Sequence, residues 1–326
     1  MDKSIQKKPH TNLVTIAMPC FERSEYFTEA LKSAINQTVK CKIIVIDNCS
    51  SHDFFKKKCK EYNIKYFRNT SNIGLYPNIN KCFELAETEY VKILGDDDIL
   101  SDTYIESFVE AQKQYPEIDV YFSDYVLLTL NKTKNHRNML PFGYMKNGNK
   151  IIEYGVKYNL GFPYMSSTIK KNKAKISYQH SNWIAGYDWI WVYSNADRLM
   201  FYGDTKQLYK FRIHKNQTHR RDWTAHTLTV PYIYDKILKK KKNISTLTRE
   251  IDKHIFRNLV FIKAFDKNND LKKIISSNDE FGEFLNSKLK EKKSLKKIYY
   301  MPRSLAKLIF TFLRLNTKLN QLKKPY

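Results

Sequence analysis

The sequence predicts an α/β fold in which a mainly parallel sheet is flanked by helices and followed by a basic helical region. Two observations support this fold class. In the first 125 residues, short apolar or β-branched runs alternate with stretches of helical periodicity, which is typical of β-α-β units. Beyond about residue 230, the composition changes to lysine-rich amphipathic helix. We therefore expect two halves of one α/β domain, residues 1–125 and 126–230, and a basic helical region at 231–326.

The predicted elements follow one another at the spacing of β-α-β units. In the second part of the chain, a helix is expected within 185–199, and a short strand that ends in polar residues is expected within 208–219. In such a sheet, the ligand is expected at the carboxyl ends of the strands. The first part of the chain has predicted strands at 13–18, 42–47, 64–68, 90–94 and 119–123, and predicted helices at 24–37, 52–62, 76–88 and 101–114.

The composition indicates a globular, cytosolic protein. Of the 326 residues, 42% are hydrophobic and 14% aromatic, which is enough to fill a sizeable core. No run approaches the roughly 18 consecutive apolar residues that a spanning helix needs. The run LVTIAM near the N-terminus is interpreted as a first strand and not as a signal peptide. The five cysteines lack C-x-x-C spacing, so we expect reduced, mostly buried thiols, with a thiol nucleophile as the alternative.

The positive charge is concentrated toward the C-terminus. The formal net charge is +24, and residues 236–326 hold 24 Lys and Arg against 8 Asp and Glu. A basic region of this kind indicates an anionic partner, either nucleic acid or an anionic membrane surface.

Three polar clusters follow three of the predicted strands: PCFER at 19–23, DNCSSHD at 47–53 and GDDD at 95–98. Because the carboxyl ends of parallel strands share one edge of a sheet, we expect the clusters to converge. Three adjacent carboxylates repel one another, and a hard cation such as Mg²⁺ or Mn²⁺, bound together with substrate phosphates, would offset that repulsion. The alternative is an Asp-rich turn that caps the helix beginning near residue 101.

Four segments resemble the nucleotide-sugar-binding half of family 2 glycosyltransferases of the GT-A fold. They are TIAMPCFER, IIVIDNCSSHD, NIGLYPNIN and YVKILGDDDIL, in that order and spacing. The resemblance is strong over residues 12–125 and weaker over 160–220. It implies a GT-A fold and a nucleotide-sugar donor, with a UDP-sugar favoured.

The resemblance assigns the nucleotide site to residues that match the family's motifs. Pro19 and Phe21 would pack around the base, and Glu22 replaces the family's common Asn. Asp47 would hydrogen-bond the uracil ring. Near the base and ribose, the matching residues are Asn72, Gly74 and Asn80.

The acidic triplet matches the D-x-D motif that binds ribose and the metal diphosphate in this family. Many members have a carboxylate where this chain has Gly95. Either the motif is shifted by one residue to Asp96, Asp97 and Asp98, or one ligand is missing. The shifted alignment is preferred, with Asp98 as the direct ligand of Mn²⁺ or Mg²⁺ and Asp96 and His214 as further metal ligands.

The weaker half of the resemblance implies the catalytic residues. The segment AGYDWIW matches the family's Gly-Glu-Asp-like segment, with Tyr187 in place of Glu. Asp188 would be the general base that deprotonates the acceptor hydroxyl, and a positioned base supplies about 10²–10⁴-fold. The alternative is that Asp188 caps its helix. In KFRIHKNQTH, Arg212 would grip diphosphate oxygens, and His214 would complete a metal shell or be a bystander.

The implied reaction is an inverting transfer of a sugar to a hydroxyl of a saccharide acceptor. The family implies a lipid-linked acceptor in bacterial surface polysaccharide or lipopolysaccharide synthesis. The basic amphipathic segment SLKKIYYMPRSLAKLIFTFLRLNTKLNQLKK suits an anionic membrane interface. The enzyme is therefore expected in the cytoplasm, peripheral at the inner face of the cytoplasmic membrane. Alternatively, this segment packs on the catalytic domain and exposes a solvated lysine face.

Two other functional classes make different predictions. A nucleic-acid-binding module would explain the charge and the 23 tyrosines but not a carboxylate triplet near Asp47, so no nucleic-acid partner is expected. A sugar-phosphate nucleotidyltransferase commonly carries a glycine-rich loop after its first strand, and PCFERSEYF contains no glycine.

Overall fold

The computed structural model describes residues 9–129, 132–135, 140–158, 160–177, 186–214, 223–238, 248–266, 269–277 and 279–322. The chain divides into two compact units, each built from several segments. The first, here called the sheet unit, comprises Met1–Tyr154, Phe162–Tyr178 and Ser194–Lys215. The second, the helical unit, comprises Gly155–Gly161, Gln179–Tyr193 and Asn216–Tyr326. The three-part division drawn from the sequence stays a prediction.

The sheet unit contains a ten-stranded, mixed sheet with the order β3-β2-β1-β4-β9-β6-β10-β5, in which β7 pairs with β6 and β8 with β10. The strands β1 to β4 are mutually parallel, and β6 is parallel to β10. The strand β9 runs antiparallel to both β4 and β6. The strands are β1 His10–Cys20, β2 Lys40–Asp47, β3 Lys65–Arg68, β4 Tyr90–Ile93, β5 Ile99–Leu100, β6 Val120–Thr129, β7 Lys132–Asn135, β8 Gly143–Met145, β9 Ser167–Lys170 and β10 Phe201–Arg212.

The strand register brings the three polar clusters to one edge. Cys20 at the end of β1 is level with Asp47 at the end of β2. Ala17 of β1 is level with Ile93 at the end of β4. The chain therefore leaves all three strands at neighbouring points, as parallel topology requires. The predicted α/β class with a mainly parallel sheet is confirmed.

Four helices separate the first strands of the sheet unit, and each buries one face. In α1, the buried residues Phe27, Ala30, Leu31 and Ala34 recur at helical spacing. Complete burial of a Phe or Leu side chain stabilises the fold by about 1.5–3 kcal/mol. The bounds of these helices are α1 Phe27–Ile35, α2 Phe54–Glu61, α3 Leu75–Leu85 and α4 Tyr104–Gln114.

Apart from α5, most of which belongs to the sheet unit, the remaining helices lie wholly or largely in the helical unit. There α8 packs against α7, α11 and α12, and Phe310 of α12 contacts Phe261 and Phe265 of α8. No helix among the described residues is long and apolar enough to cross a membrane. The helices are α5 Asn149–Tyr158, α6 Tyr187–Asn195, α7 Trp223–Ile233, α8 Thr248–Phe265, α9 Asp270–Ile275, α10 Glu280–Glu291, α11 Lys293–Tyr300 and α12 Arg303–Leu322, and a π-helical turn, Tyr234–Leu238, follows α7.

All five cysteines are free thiols, and three of them are buried: Cys20, Cys59 and Cys82. Burial raises the pKa of Cys59 to about 12 and moves the pKa of Cys20 well above its ordinary value. A thiol held uncharged in this way is a poor nucleophile. The structure therefore favours the prediction of buried, unreactive thiols for these three residues.

Candidate functional site

The acidic triplet forms a tight, buried turn between β4 and β5. Asp96, Asp97 and Asp98 are 3%, 9% and 2% exposed, so these are carboxylates largely removed from water. A Cβ atom on Gly95 would lie 2.9 Å from Asp97 Oδ1 and 3.1 Å from Asp98 Oδ2. A side chain at position 95 would therefore require the carboxylates of Asp97 and Asp98 to move, and the choice between a shifted motif and a missing ligand stays a prediction.

Asp98 is held by β10. Its Oδ2 accepts a hydrogen bond from the Tyr209 hydroxyl, and its Oδ1 accepts one from the backbone N–H of Arg212 at 2.8 Å. Burial and the neighbouring charge of Asp97 raise the pKa of Asp98 to about 8. Helix α4 begins only at Tyr104, so the capping alternative does not account for these contacts. Both oxygens of Asp98 connect the acidic turn to the end of β10.

Arg23, from the cluster after β1, neutralises the other side of the turn. Its Nε donates to Asp96 Oδ1 at 3.1 Å, and its Nη2 lies 3.1 Å from Asp97 Oδ2. Burial raises the pKa of Asp96 to about 7, against the opposing charge of Arg23. The side chain of Arg23 is 26% exposed, whereas that of Asp96 is 5% exposed. The first and third polar clusters are thus joined by an ion pair.

Asp97 and His214 form a second polar contact in the turn. His214 Nε2 lies 2.9 Å from Asp97 Oδ2, and His214 is 8% exposed. The imidazole also faces the Tyr26 ring, with 5.0 Å between ring centroids. Arg212 completes this side: its Nε donates to the Asp97 carbonyl oxygen at 2.7 Å, and its Nη2 donates to Glu29 at 2.5 Å. Arg212 and His214 therefore both lie at the acidic turn.

The donor atoms at the turn fit part of a divalent-cation site. No group of three or more His, Cys, Asp or Glu side chains in the described ranges is arranged to hold a metal ion. Asp97 and His214 nevertheless present an oxygen and a nitrogen donor side by side. Mg²⁺ is commonly held by one or two carboxylates and completed by substrate phosphates and water. Asp97 and His214 are therefore the candidate ligands at this turn for a cation that arrives with a diphosphate.

The cluster after β2 is organised around Asp47, which is fully buried. Its Oδ1 accepts from the Ser50 N–H at 2.9 Å and the Ser50 hydroxyl at 2.6 Å. Its Oδ2 accepts from the Tyr66 hydroxyl at 2.7 Å and from Arg68 Nη1 at 3.1 Å. Four internal donors therefore occupy the Asp47 carboxylate, and Arg68 carries the outward-facing charge.

Glu22 fastens the loop after β1 to the loop after β2. Its carboxylate accepts from the Ser51 N–H at 2.7 Å and the Ser51 hydroxyl at 2.8 Å. Glu22 has φ +57°, a left-handed conformation that side chains other than glycine adopt at a cost. Phe21, just before it, is 41% exposed, whereas Pro19 lies inside the sheet, level with Ile46. The loop thus presents an exposed aromatic ring beside Glu22.

The Asn-rich segment before α3 forms an amide network with the cluster after β2. Asn48 Nδ2 donates to Asn72 Oδ1 at 2.8 Å, and the Gly74 N–H donates to the same oxygen at 2.9 Å. Gly74 has φ +89°, a conformation that favours glycine. Asn80 lies elsewhere: its amide exchanges two hydrogen bonds with the backbone of Ile176. The structure brings Asn72 and Gly74 together and places Asn80 against Ile176, in the segment after β9.

Asp188 belongs to the helical unit. It is the second residue of α6 and is half-buried. Gly186, with φ +84°, precedes the helix, and its carbonyl accepts from the N–H groups of Trp189 and Ile190. Tyr187, the residue that replaces the family's Glu, is buried. Ala185 of the matched segment lies outside the described residues.

Several residues at the acidic turn were not identified from the sequence. Arg23 lies within the PCFER cluster, and its charge among apolar and acidic neighbours was the available signal. Tyr209 and the buried Lys92 gave no signal, because their contacts depend on the pairing of distant strands. Lys92 lies between the rings of Tyr104 and Tyr209, at 4.8 and 4.5 Å from their centroids. Burial lowers the pKa of Lys92 well below its ordinary value.

Comparison with known proteins supports the resemblance seen in the sequence. Residues 15–171 match the family model described as glycosyl transferase family 2. The chain is 32% identical over 114 residues to the minor teichoic acid biosynthesis protein GgaB of Bacillus subtilis, covering 32% of this chain and 13% of that protein. It is 26% identical over 137 residues to the cholesterol galactosyltransferase of Borreliella burgdorferi, covering 41% and 38%. The chain thus spans well under half the length of these relatives.

The fold is shared with solved structures at low sequence identity. A fragment of S. aureus TarS, crystallised in complex with UDP-GlcNAc, superposes with a TM-score of 0.58 at 16% identity, covering 79% of this chain and 77% of that one. The GT-A fold expected from the sequence is confirmed.

Proposed function

We propose that this chain, which contains a family 2 glycosyltransferase domain at residues 15–171, transfers a sugar from a UDP-sugar to a hydroxyl of a saccharide acceptor. The observation that carries the proposal is the convergence of three polar loops around a buried acidic turn at the carboxyl edge of β1, β2 and β4. The TarS relative was crystallised with UDP-GlcNAc, and GgaB is a teichoic acid biosynthesis protein. The TarS complex supports a UDP-sugar donor, and the GgaB match supports a role in bacterial surface polysaccharide or lipopolysaccharide synthesis.

The cluster after β2 and the exposed ring of Phe21 are proposed to bind the nucleotide. Phe21 offers an apolar face for the base. The Asp47 carboxylate already accepts four internal hydrogen bonds, so a uracil ring would contact it only by displacing one of them. With these hydrogen bonds in place, Asp47 holds Ser50 and Arg68 in position at the proposed nucleotide site. Pro19, Glu22, Asn72 and Gly74 are proposed to hold the surrounding loops, and Asn80 to anchor α3.

The acidic turn is proposed to hold Mn²⁺ or Mg²⁺ through Asp97 and His214. Asp98, the ligand favoured from the sequence, could bind the ion only by giving up its hydrogen bond to Tyr209 or to Arg212. Asp96 would likewise have to release Arg23, and Asp97 Oδ2 would exchange its contacts with Arg23 and His214 for the ion. When bound, the ion supplies neutralising charge for a diphosphate leaving group. Arg212 lies beside the turn and is proposed to contact diphosphate oxygens.

Asp188 is proposed as the general base, on the strength of the matched segment and its place in the first turn of α6. A sugar hydroxyl is a poor nucleophile at neutral pH, and a carboxylate that accepts its proton raises its reactivity. A single displacement at the anomeric carbon then inverts its configuration.

We further propose that the acceptor is lipid-linked and that the enzyme works at the cytoplasmic face of an anionic membrane. Helix α12 packs Ala306 and Phe310 inward but leaves Leu305, Leu308 and Phe312 exposed at 47%, 72% and 63%. These three side chains, the apolar stripe, recur at helical spacing. An exposed apolar stripe on a basic helix suits the boundary of an anionic bilayer.

Isothermal titration calorimetry with UDP, dTDP and GDP, each with and without Mn²⁺, tests the donor site. We expect UDP to bind best and only weakly without Mn²⁺. Asp97→Asn should weaken UDP binding in Mn²⁺ by about tenfold, since it removes a charged ligand of the cation. Asp102→Asn, an exposed carboxylate beyond the same turn, is the matched control and should bind as the wild type does. If UDP affinity is the same with and without Mn²⁺, and the same in the wild type and Asp97→Asn, the proposed metal site is wrong.

A further inference from the structure

A cavity of about 580 Å³ lies within the helical unit. Side chains from α8, α11 and α12 line it, together with Lys157 near the end of α5. It shares no residue with the acidic turn or with the clusters after β1 and β2. Its lining residues are therefore a different set from those of the proposed donor site.

The cavity is lined by an unusual number of cations. Arg249, Lys253 and Arg257 are spaced four residues apart on α8, and Lys157 and Lys292 add two more positive charges. Residues four apart lie on one face of a helix, where like charges destabilise it by a few tenths of a kcal/mol per pair. Repulsion among the three basic side chains therefore lowers the stability of α8. An anion bound in the cavity would reduce this repulsion.

The carboxylates of the lining neutralise only part of this charge. Glu250 pairs with Lys253 at 2.5 Å, and Asp252 pairs with Lys292 at 3.0 Å. Lys157, Arg249 and Arg257 form no ion pair within the part of the chain that the structure describes. The remaining titratable group, His254, is buried with its Nε2 2.6 Å from the Val156 carbonyl oxygen, and burial lowers its pKa. Three positive charges thus face the cavity without a paired carboxylate.

Apart from Ser294 of α11, the rest of the lining is apolar. Phe256 of α8, Leu295 of α11 and Leu313 of α12 contribute hydrophobic surface. Leu313 directly follows Phe312 of the apolar stripe on α12. A small inorganic anion would use only the cationic part of this lining. An amphiphile with a phosphate at one end would use both parts.

We propose that this cavity is a phosphate-binding site for the phosphate monoester or diester of an amphiphilic molecule. Arg249 and Arg257 supply planar guanidinium groups that can each donate two parallel hydrogen bonds to phosphate oxygens. Lys157 supplies a third, compact charge. The apolar side chains contact the adjoining hydrocarbon. The phosphate belongs either to a lipid headgroup or to a soluble phosphate ester, and these two sources are separable by experiment.

The test uses the full-length protein and a double variant, Arg249→Gln with Arg257→Gln. The matched control, Lys290→Gln with Lys296→Gln, removes the same charge from exposed lysines of the helical unit outside the cavity. Glycerol 3-phosphate binding is measured by calorimetry. Association with vesicles of equimolar phosphatidylglycerol and phosphatidylcholine is measured by sedimentation. Circular dichroism and UDP titration show whether each variant is folded, and UDP binding should be equal in all three proteins.

We expect the cavity variant to lose binding by about tenfold, since it removes two charge-assisted contacts, and the control to match the wild type. Loss of both glycerol phosphate and vesicle binding supports the site with a lipid source. Loss of glycerol phosphate binding alone supports the site with a soluble ester. Equal behaviour of the cavity variant and the control, or a wild type that binds neither probe, overturns the proposal. These readouts do not depend on UDP binding, so failure of the donor site would be seen separately.

Discussion

The sheet unit and the helical unit differ in whether their concentrated charges have partners within the protein. In the sheet unit, the most concentrated negative charge is buried, and Arg23, His214, Tyr209 and the backbone of Arg212 contact its carboxylates. In the helical unit, three cations around a cavity lack a paired carboxylate in the described residues. Buried charges require partners inside the protein, because desolvation without pairing is costly. Charges that line an open cavity remain accessible to a ligand. The positive charge is concentrated in residues 236–326, which hold 24 Lys and Arg against 8 Asp and Glu.

The largest expected effect separates binding from chemistry. Asp188→Asn should lower turnover by about 10²–10⁴-fold, because it removes the proposed base, and should leave UDP affinity unchanged. Sugar transfer is measured as the rate of UDP release. UDP affinity is measured by calorimetry. The matched control is Asp197→Asn, an exposed carboxylate shortly after α6. Normal turnover by the Asp188 variant would show that Asp188 is not the general base.

The next prediction tests whether pairing stabilises the acidic turn. Arg23→Gln should reduce the free energy of unfolding by about 2 kcal/mol, less than a fully buried pair would lose because Arg23 is 26% exposed. Urea denaturation at neutral pH in EDTA measures this change. Arg198→Gln, which removes an exposed arginine bonded to Asn195, should change stability by less than about 0.5 kcal/mol. Equal stability of the two variants would contradict the role given to Arg23.

A smaller effect is expected at the apolar stripe of the helical unit. Leu308→Ser combined with Phe312→Ser should weaken association with anionic vesicles by about tenfold, since both side chains are exposed and would enter the bilayer boundary. The melting temperature should change little for the same reason. Thr311→Ser on the same helix serves as the control. If the double variant sediments with vesicles like the wild type, α12 does not carry the membrane contact.

The smallest effect per unit of the variable changed is the pH dependence of stability. The pKa of Asp98 is raised to about 8 in the folded protein, far above that of an unfolded Asp. Its contribution to stability is therefore complete below about pH 4 and is lost as pH rises toward 8. In EDTA, the side-chain amide introduced by Asp98→Asn cannot lose a proton. The free energy of unfolding of this variant should therefore fall less steeply between pH 5 and 8, by at most about 1.4 kcal/mol per pH unit. Parallel slopes for the two proteins would show that Asp98 is already ionised when folded.

The sequence by itself determined the α/β class, the positions of β1 to β4 along the chain and the edge at which the polar clusters meet. The predicted strands at 13–18, 42–47, 64–68 and 90–94 correspond to β1 to β4. These features are local, because apolar runs and helical periodicity are written in neighbouring residues. The predicted strand at 119–123 proved longer, since β6 continues to Thr129 beside β10. The strand expected within 208–219 begins earlier, at Phe201, because β10 also pairs with β6 and β8.

Only the tertiary structure decided what each site residue touches. Tyr209 reaches Asp98 across 111 positions of sequence, through the antiparallel pairing of β10 with β5. Asp47 is saturated by Ser50, Tyr66 and Arg68 because β3 lies beside β2. Lys157 reaches the cavity lined by α8 in the same way. Burial and pairing set the charge state of a carboxylate, and both depend on distant segments meeting in space, which no local pattern encodes.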